Sequence, residues 1–548
     1  MKKARIIIIL TLTIICLLTL CSCNSKMESD GDYYLGGNGY EGLDGNLHTN
    51  KATNVYGEPN FTSSIPAGDS ELKEEIAPDE APSEDGQTGQ IVENPFIKTE
   101  VMDTSTFSAD VDTASYTFLR KMIDSGYSLN ELQNIAMSHV IRTEEIVNYF
   151  NYSYNNAEDG EMFGTKASIV RSPWNEETYL LTLGLKAKEL EEKKANNLVF
   201  LIDVSGSMYS DDKLPLLKQA FSFLVDQLDE NDTVSIVTYA GSDRVALEAT
   251  PGNKKEIILN AINHLTAGGS TNGEAGIRRA YEIAEANFKP DGNNRIIIAS
   301  DGDLNVGISS PKELENLVEE KRKSGVFLSV LGFGSGNFRD DNMSAIAQTG
   351  NGVYHYIDSE KEAERIFASS LLSTIYTVAK DVKFQLAFNK DFISEYRLIG
   401  YENRLLTNED FNDDTKDAGE VGVGHTLTVC YELKLCDAAL NTTDEESGTD
   451  NDAVDEWIKL SIRYKEPDAD VSELREYSIG EAELTSEADS DVTFISTLIE
   501  FSMLIRNSNY RNPDVTLASL AERLEALELD TEKLEALTLI NKIIENEK

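Results

Sequence analysis

From Asn197 to about Ile375 the chain alternates between two hydrophobic periodicities, and no other feature constrains its fold as tightly. The run Asn197-Leu-Val-Phe-Leu-Ile202 reads as a buried strand, and Lys213 to Leu228 as an amphipathic helix. Thr233 to Ala240 is strand-like, Asn272 to Phe288 is helical, and Arg295-Ile-Ile-Ile-Ala299 is a second apolar strand. A helix from Pro311 to Ser324, the strand Val326 to Gly332 and a last helix from Ser359 to about Ile375 complete the series. Apolar strands alternating with helices predict an α/β fold with a mostly parallel, doubly wound, Rossmann-like sheet. Ligands of such sheets sit beyond the carboxyl ends of the strands, where the strand order reverses. In the order 3-2-1-4-5-6 the first and fourth strands flank that reversal, and here they lead into Asp203 and Asp301.

The turn leaving the first of those strands reads Asp203-Val-Ser205-Gly-Ser207. A glycine-rich turn, Gly268-Gly-Ser-Thr271-Asn-Gly273, lies between two helical patterns, and Asp301-Gly-Asp303 follows the strand at Arg295. Taken in order, D-x-S-x-S, then T, then D resemble the metal-ion-dependent adhesion site of von Willebrand factor type A domains. The resemblance implies direct ligation of a divalent cation by the hydroxyls of Ser205, Ser207 and Thr271. It implies that Asp203 and Asp301 hold bound waters and orient those hydroxyls. Mg2+, or Mn2+, suits such a set, because it takes hard oxygen donors in octahedral geometry and keeps several waters. Neutral ligands leave the ion most of its charge, so it seeks an anionic oxygen from outside; the family implies a carboxylate of a partner protein. The alternative, that Asp-x-Ser-x-Ser only caps a helix, calls for neither Thr271 nor Asp301. Two other matches fail. Asp301 to Gly307 begins like an EF-hand, but its glycine comes one place late and Lys312 stands where glutamate should close the loop. Gly37-Asn-Gly39-Tyr-Glu-Gly42 has dinucleotide-binding spacing with no strand before it.

The N-terminus reads as a signal. Lys2, Lys3 and Arg5 precede an apolar run from Ile7 to Leu20, and Leu20-Cys21-Ser22-Cys23 resembles a bacterial lipobox cleaved before Cys23. Residues 1–22 are then the signal peptide and Cys23 the lipidated residue; a retained membrane anchor is the alternative. Either way the body is expected outside the cytoplasm. Residues 23–103, rich in Gly, Asn, Ser, Asp and Glu, are expected to form a disordered acidic tether. Of the remaining cysteines, Cys430 and Cys436 lie on one predicted strand, where six residues span roughly 20 Å, beyond disulfide reach. The formal charge is −47, and about −50 once the three N-terminal cations are removed. Such a charge disfavours nucleic acid and direct contact with anionic lipid as partners. Two smaller acidic stretches, Asn408 to Glu420 and Asn441 to Asp455, also look unfolded.

The flanks narrow the resemblance. Thr106-Phe-Ser-Ala-Asp-Val-Asp112 and Val140-Ile-Arg-Thr-Glu144-Glu145 resemble the N-terminal region of YfbK-type bacterial lipoproteins, and Phe494 to Tyr510 their C-terminal region. Val382 to Phe388, Thr426 to Leu433, Trp457 to Arg463 and Thr165 to Lys186 show the alternation of an antiparallel β-sandwich. We therefore expect a flank at 104–194, the A domain at 195–378 inserted in the sandwich, more sandwich at 379–489, and helices at 490–548. Leu517, Leu520, Leu524, Leu527 and Leu534 form an apolar stripe for core packing. Asp112, Glu144 and Glu145 are expected at helix starts and on the surface. His48, His139, His264, His355 and His425 are scattered through no catalytic motif. The expectation is a lipid-anchored, metal-dependent protein-binding module rather than an enzyme. The alternative is a metal-dependent hydrolase at the same site, for which Asp303 and Glu274 are the only spare acids near the motif.

Overall fold

The computed structural model describes residues 92–548 except 137–140, 190–192, 271–272, 303–310, 335–339, 370–372, 374, 442–455 and 468. The signal, Cys23 and most of the tether lie outside the described residues, as does nearly all of the acidic stretch ending at Asp455. Among the described residues four strands precede the alternating region: β1 (Ile97–Lys98), β2 (Thr104–Ser108), β3 (Phe163–Arg171) and β4 (Tyr179–Ala187). Six lie within it: β5 (Asn196–Asp203), β6 (Thr233–Tyr239), β7 (Asp243–Pro251), β8 (Asn293–Ser300), β9 (Phe327–Phe333) and β10 (Tyr354–Ile357). Six follow: β11 (Thr377–Phe388), β12 (Ile393–Ile399), β13 (Gly419–Gly422), β14 (Thr426–Leu435), β15 (Glu456–Lys465) and β16 (Glu473–Gly480).

The central sheet runs β10-β9-β8-β5-β6-β7, parallel throughout except for β7, which pairs antiparallel with β6. Counted from β5 this is the expected doubly wound order. Every residue of β5 is buried, because helices cover both faces of the sheet. On one face Phe200 stacks on Phe221 of the helix Leu214–Asp226, ring centroids 4.3 Å apart. On the other, Val199 and Leu201 share a core with Ile277, Ala280 and Tyr281 of the helix Gly273–Ala286. That helix backs closely onto β6: a Cβ at Gly276 would come within 2.9 Å of the Tyr239 Cβ. β7 left little trace in the sequence because it is a largely exposed edge strand with no apolar run. The helix expected from Ser359 to Ile375 differs too. It is helical at Glu360–Glu364 and widens into a π turn at Arg365–Ser369, which carries Arg365 over the Tyr149 ring, 4.2 Å from its centroid.

The other two sheets are antiparallel. One runs β1-β12-β14-β4-β3; the other runs β13-β11-β15-β16, with β2 added to β11. Because β4 pairs with β14 and β2 with β11, strands from both sides of the central domain interleave, and that domain is an insertion in the sandwich. Phe107, Leu183, Phe384, Tyr431 and Trp457 fill the space between the sheets, where Phe388 stacks on Tyr396 at 4.1 Å. The stretch Asn408 to Glu420, expected to be unfolded, is ordered. Thr407 caps the helix Asn408–Asn412, Phe411 is buried, and Lys416 and Arg322 pair with the carboxylates of Asp410 and Asp417, which offsets part of its acidity. At the C-terminus the helix Ser490–Ile505 is buried almost all round. Leu517, Leu520 and Leu524 pack in the core, but Leu534 is 48% exposed, because the last helix turns Ala536, Leu539, Ile540 and Ile543 inward instead. No described helix is long and apolar enough to cross a membrane.

Asp112, Glu144 and Glu145, expected at the surface, are buried. Glu145 accepts the Ser115 backbone N–H at 2.7 Å, capping the helix Ala114–Asp124 from another element, and pairs with Arg142. Asp112 accepts from the Tyr354 N–H and the Ser344 hydroxyl, tying the flank to the central domain. Neither Glu144 oxygen accepts a hydrogen bond from the described residues. Burial, then the nearby carboxylates of Glu402 and Asp110, push its pKa up to about 8. A folded value above the unfolded 4.5 means stability is full below that value and is lost as pH rises through about 8. The melting temperature is therefore expected to fall as pH rises from about 4.5 to about 8, and Glu144→Gln to flatten that fall. Parallel profiles for the two proteins would assign the pH dependence elsewhere.

Candidate metal centre

Asp203 closes β5 and Asp301 follows β8, so the parallel pairing of these neighbours brings both to one edge of the sheet. Asp203 is buried. One of its oxygens accepts the Ser205 N–H at 2.8 Å and the other the Ser300 hydroxyl at 3.1 Å, which folds the turn after β5 back over the strand end. Burial raises its pKa, against the lowering pull of the Ser205 N–H. The turn continues as one 3-10 turn, Gly206–Tyr209, and leaves the Ser205 and Ser207 hydroxyls 2.9 Å apart. The glycine-rich loop lies against it: Gly206 donates to the Gly269 carbonyl at 3.1 Å and Gly268 to that of Val204 at 2.7 Å. Gly269 has φ +90°, a conformation open to glycine and costly for other residues. Thr271 comes two residues later and lies outside the described residues, as does Asp303. The structure thus brings together Asp203, Ser205, Ser207 and Asp301, and lays the approach to Thr271 beside them.

One participant had no sequence signal. Lys213, at the start of the helix Leu214–Asp226, sends its ammonium 2.8 Å from Asp301 Oδ2 and 3.1 Å from the Ser207 carbonyl. Its stem runs against Gly334, where a Cβ would collide with the lysine Cε. Asp301 is itself buried, and its Oδ1 accepts no hydrogen bond from the described residues. A side-chain cation drawn between a buried carboxylate and a carbonyl marks a place that favours positive charge. Two adjacent hydroxyls, a carboxylate oxygen without a donor and a lysine in the cation's neighbourhood fit a divalent ion with few charged ligands. Glu274, the spare acid near the motif, is engaged by Arg278 at 2.9 Å. Tyr209, on the same turn as Ser207, is 82% exposed and offers an aromatic contact beside the site.

Three family models match the chain. The one described as von Willebrand factor type A domain covers residues 197–369, one described as von Willebrand factor covers 83–182, and one described as Uncharacterized protein YfbK, C-terminal, covers 373–545. The chain is 39% identical over 443 residues to the protein YfbK of Escherichia coli (strain K12), a match spanning 78% of this chain and 74% of that one. It is also 27% identical over 176 residues to inter-alpha-trypsin inhibitor heavy chain H3 of Mesocricetus auratus, covering 30% of this chain and 20% of that protein. Among solved structures, a von Willebrand factor type A protein from Catenulispora acidiphila aligns with TM-score 0.39 and 16% identity, over 73% of this chain and 89% of its own.

Proposed function

Because the chain belongs to the YfbK family of von Willebrand factor type A proteins, we propose that it is a cell-envelope protein that grips a partner's carboxylate through a bound divalent cation. Mg2+ or Mn2+ would be held by Ser205, Ser207 and Thr271, with Asp203 and Asp301 behind them. The observation that carries this reading is the buried Oδ1 of Asp301, which has no hydrogen-bond partner among the described residues, beside two neighbouring hydroxyls at the carboxyl end of the sheet. When bound, the ion supplies an open coordination position of high positive charge. The chain's own residues shape and orient that position, and Tyr209 extends the contact. We read it as a binding module and not an enzyme, since Glu274 is committed to Arg278 and no histidine belongs to the site motif. Anchoring rests on the lipobox-like Leu20-Cys21-Ser22-Cys23, and Cys23→Ala is expected to abolish lipid labelling.

The test pairs capture of envelope proteins with thermal melting, each in Mg2+ and in EDTA. Capture should depend on Mg2+. The melting temperature should move only by the small linkage contribution of an occupied site, because the turns are already held by the sheet and by Asp203. Capture that persists undiminished in EDTA would sink the mechanism, even for a chain that binds metal.

A further inference from the structure

A second group of oxygens sits away from this centre, where the sandwich meets the doubly wound domain. Asp381 lies on β11 where register shifts in both of its ladders bracket it, and it adopts φ +53°, rare for a non-glycine residue. The bulge turns its carboxylate toward Asp417, in the loop before β13, and Glu420 on β13. One oxygen from each of the three lies within 4.8 Å of the others. Calcium takes oxygens at about 2.3–2.6 Å, so ligands on opposite sides of one ion stand roughly 5 Å apart, and three oxygens at the observed spacing can share it.

The cations nearby leave one member unmatched. Lys465 is 2.8 Å from Asp381 Oδ2, and Arg322, at the end of the helix Pro311–Arg322, donates to both Asp417 oxygens at 2.8 Å. Lys383 is spent on the carbonyls of Asp410 and Asp413. Arg295 donates to the hydroxyls of Ser329 and Thr377, and its charge reaches Glu420 only through space. Glu420 is 4% exposed, and its Oε1 accepts no hydrogen bond from the described residues. A buried carboxylate oxygen without a donor is unfavourable unless a proton or a cation meets it. Burial, followed by the charges of Asp417 and Asp381, pushes the Glu420 carboxyl well above the ordinary carboxylate range. Glu420 also lines a space of about 20 Å3, with Asp110, Asp112 and Arg404 on its walls, enough for one water.

We infer that Asp381, Asp417 and Glu420 form a second cation site that takes one calcium ion, where the sandwich meets the doubly wound domain. Calcium fits this place better than magnesium. It accepts irregular, carboxylate-rich surroundings and sheds water readily, whereas magnesium demands near-octahedral geometry and keeps its waters. All three acids belong to the sandwich, so an ion here competes with Arg322 of the doubly wound domain for Asp417.

The test uses the full chain carrying Ser205→Ala and Ser207→Ala, which removes the hydroxyl site, titrated with calcium chloride alone in a calorimeter. One site with a dissociation constant in the range of about 10⁻⁵ to 10⁻³ M is expected, with a rise in melting temperature. Adding Glu420→Gln should weaken binding about tenfold or more, and Asp381→Asn should do the same. No binding at millimolar calcium, or binding that both substitutions leave unchanged in proteins of native circular dichroism, overturns the inference. Magnesium titration of the unsubstituted chain reads the first site separately, so failure at one site does not mimic failure at the other.

Discussion

Arg120→Met should lower the stability of the folded body by about 3–5 kcal/mol, the usual cost of removing one partner from a buried ion pair. Arg120 lies in the helix Ala114–Asp124 and its guanidinium is buried. It donates to both oxygens of Asp358 at 2.7 and 2.6 Å, to Glu362 at 2.8 Å, to Glu535 at 2.5 Å and to the Tyr149 hydroxyl at 2.7 Å. Asp358 and Glu362 follow β10 in the central domain, and Glu535 sits in the last helix, Lys533–Asn546. One side chain therefore closes the flank, the central domain and the C-terminus onto each other. Methionine keeps much of the volume and strands the carboxylates. Arg365 still holds Glu362 and Lys361 still holds Glu535, but among the described residues Asp358 is left with only the hydroxyl of Ser359. The check is the urea midpoint of the first unfolding transition, with Arg120→Met/Glu535→Gln as the companion variant. Partial recovery in the double variant is expected, because one stranded charge has been removed. A loss below about 1 kcal/mol in the single variant would mean that the network is solvated and holds nothing together.

Mn2+ affinity is expected to fall about 10- to 100-fold in Asp301→Ala and in Asp203→Ala, the range typical of residues that position ligands. The two losses have different origins. Asp203 shapes the turn, since both of its oxygens hold donors at Ser205 and Ser300, whereas Asp301 presents an oxygen with no donor among the described residues. Lys213→Met is expected to move the other way and tighten binding about tenfold. The ammonium on Asp301 Oδ2 repels an arriving ion and takes up part of the negative charge that would favour it, so its removal leaves that charge to the ion. Calorimetric titration with MnCl2 measures all three. Unchanged affinity in Asp301→Ala places the ion elsewhere, and weaker binding in Lys213→Met would make the lysine a support of the site instead of a competitor.

Local pattern was enough to read the alternating central domain. The apolar runs of β5 and β8 are buried on both faces, and such strands cannot disguise themselves as loops or surface helices. It was enough also to put Asp203, Ser205 and Ser207 on one turn after a buried strand, and for the order of the sheet, which is the doubly wound one. The edge strand β7 and the ordered stretch from Asn408 escaped because their residues face solvent or are compensated by charges, so their apolar signal is weak. Long-range partners were beyond local reading. Lys213 meets Asp301 across 88 positions, Asp112 meets Tyr354 across 242, and Arg120 meets Glu535 across 415. Amino-acid order by itself determined which faces of each element must be covered, because hydrophobic periodicity is a property of the element alone. Only the tertiary structure decided which charges those faces bring together. The cost of burying Glu144 or Arg120 depends on neighbours supplied by elements hundreds of residues away.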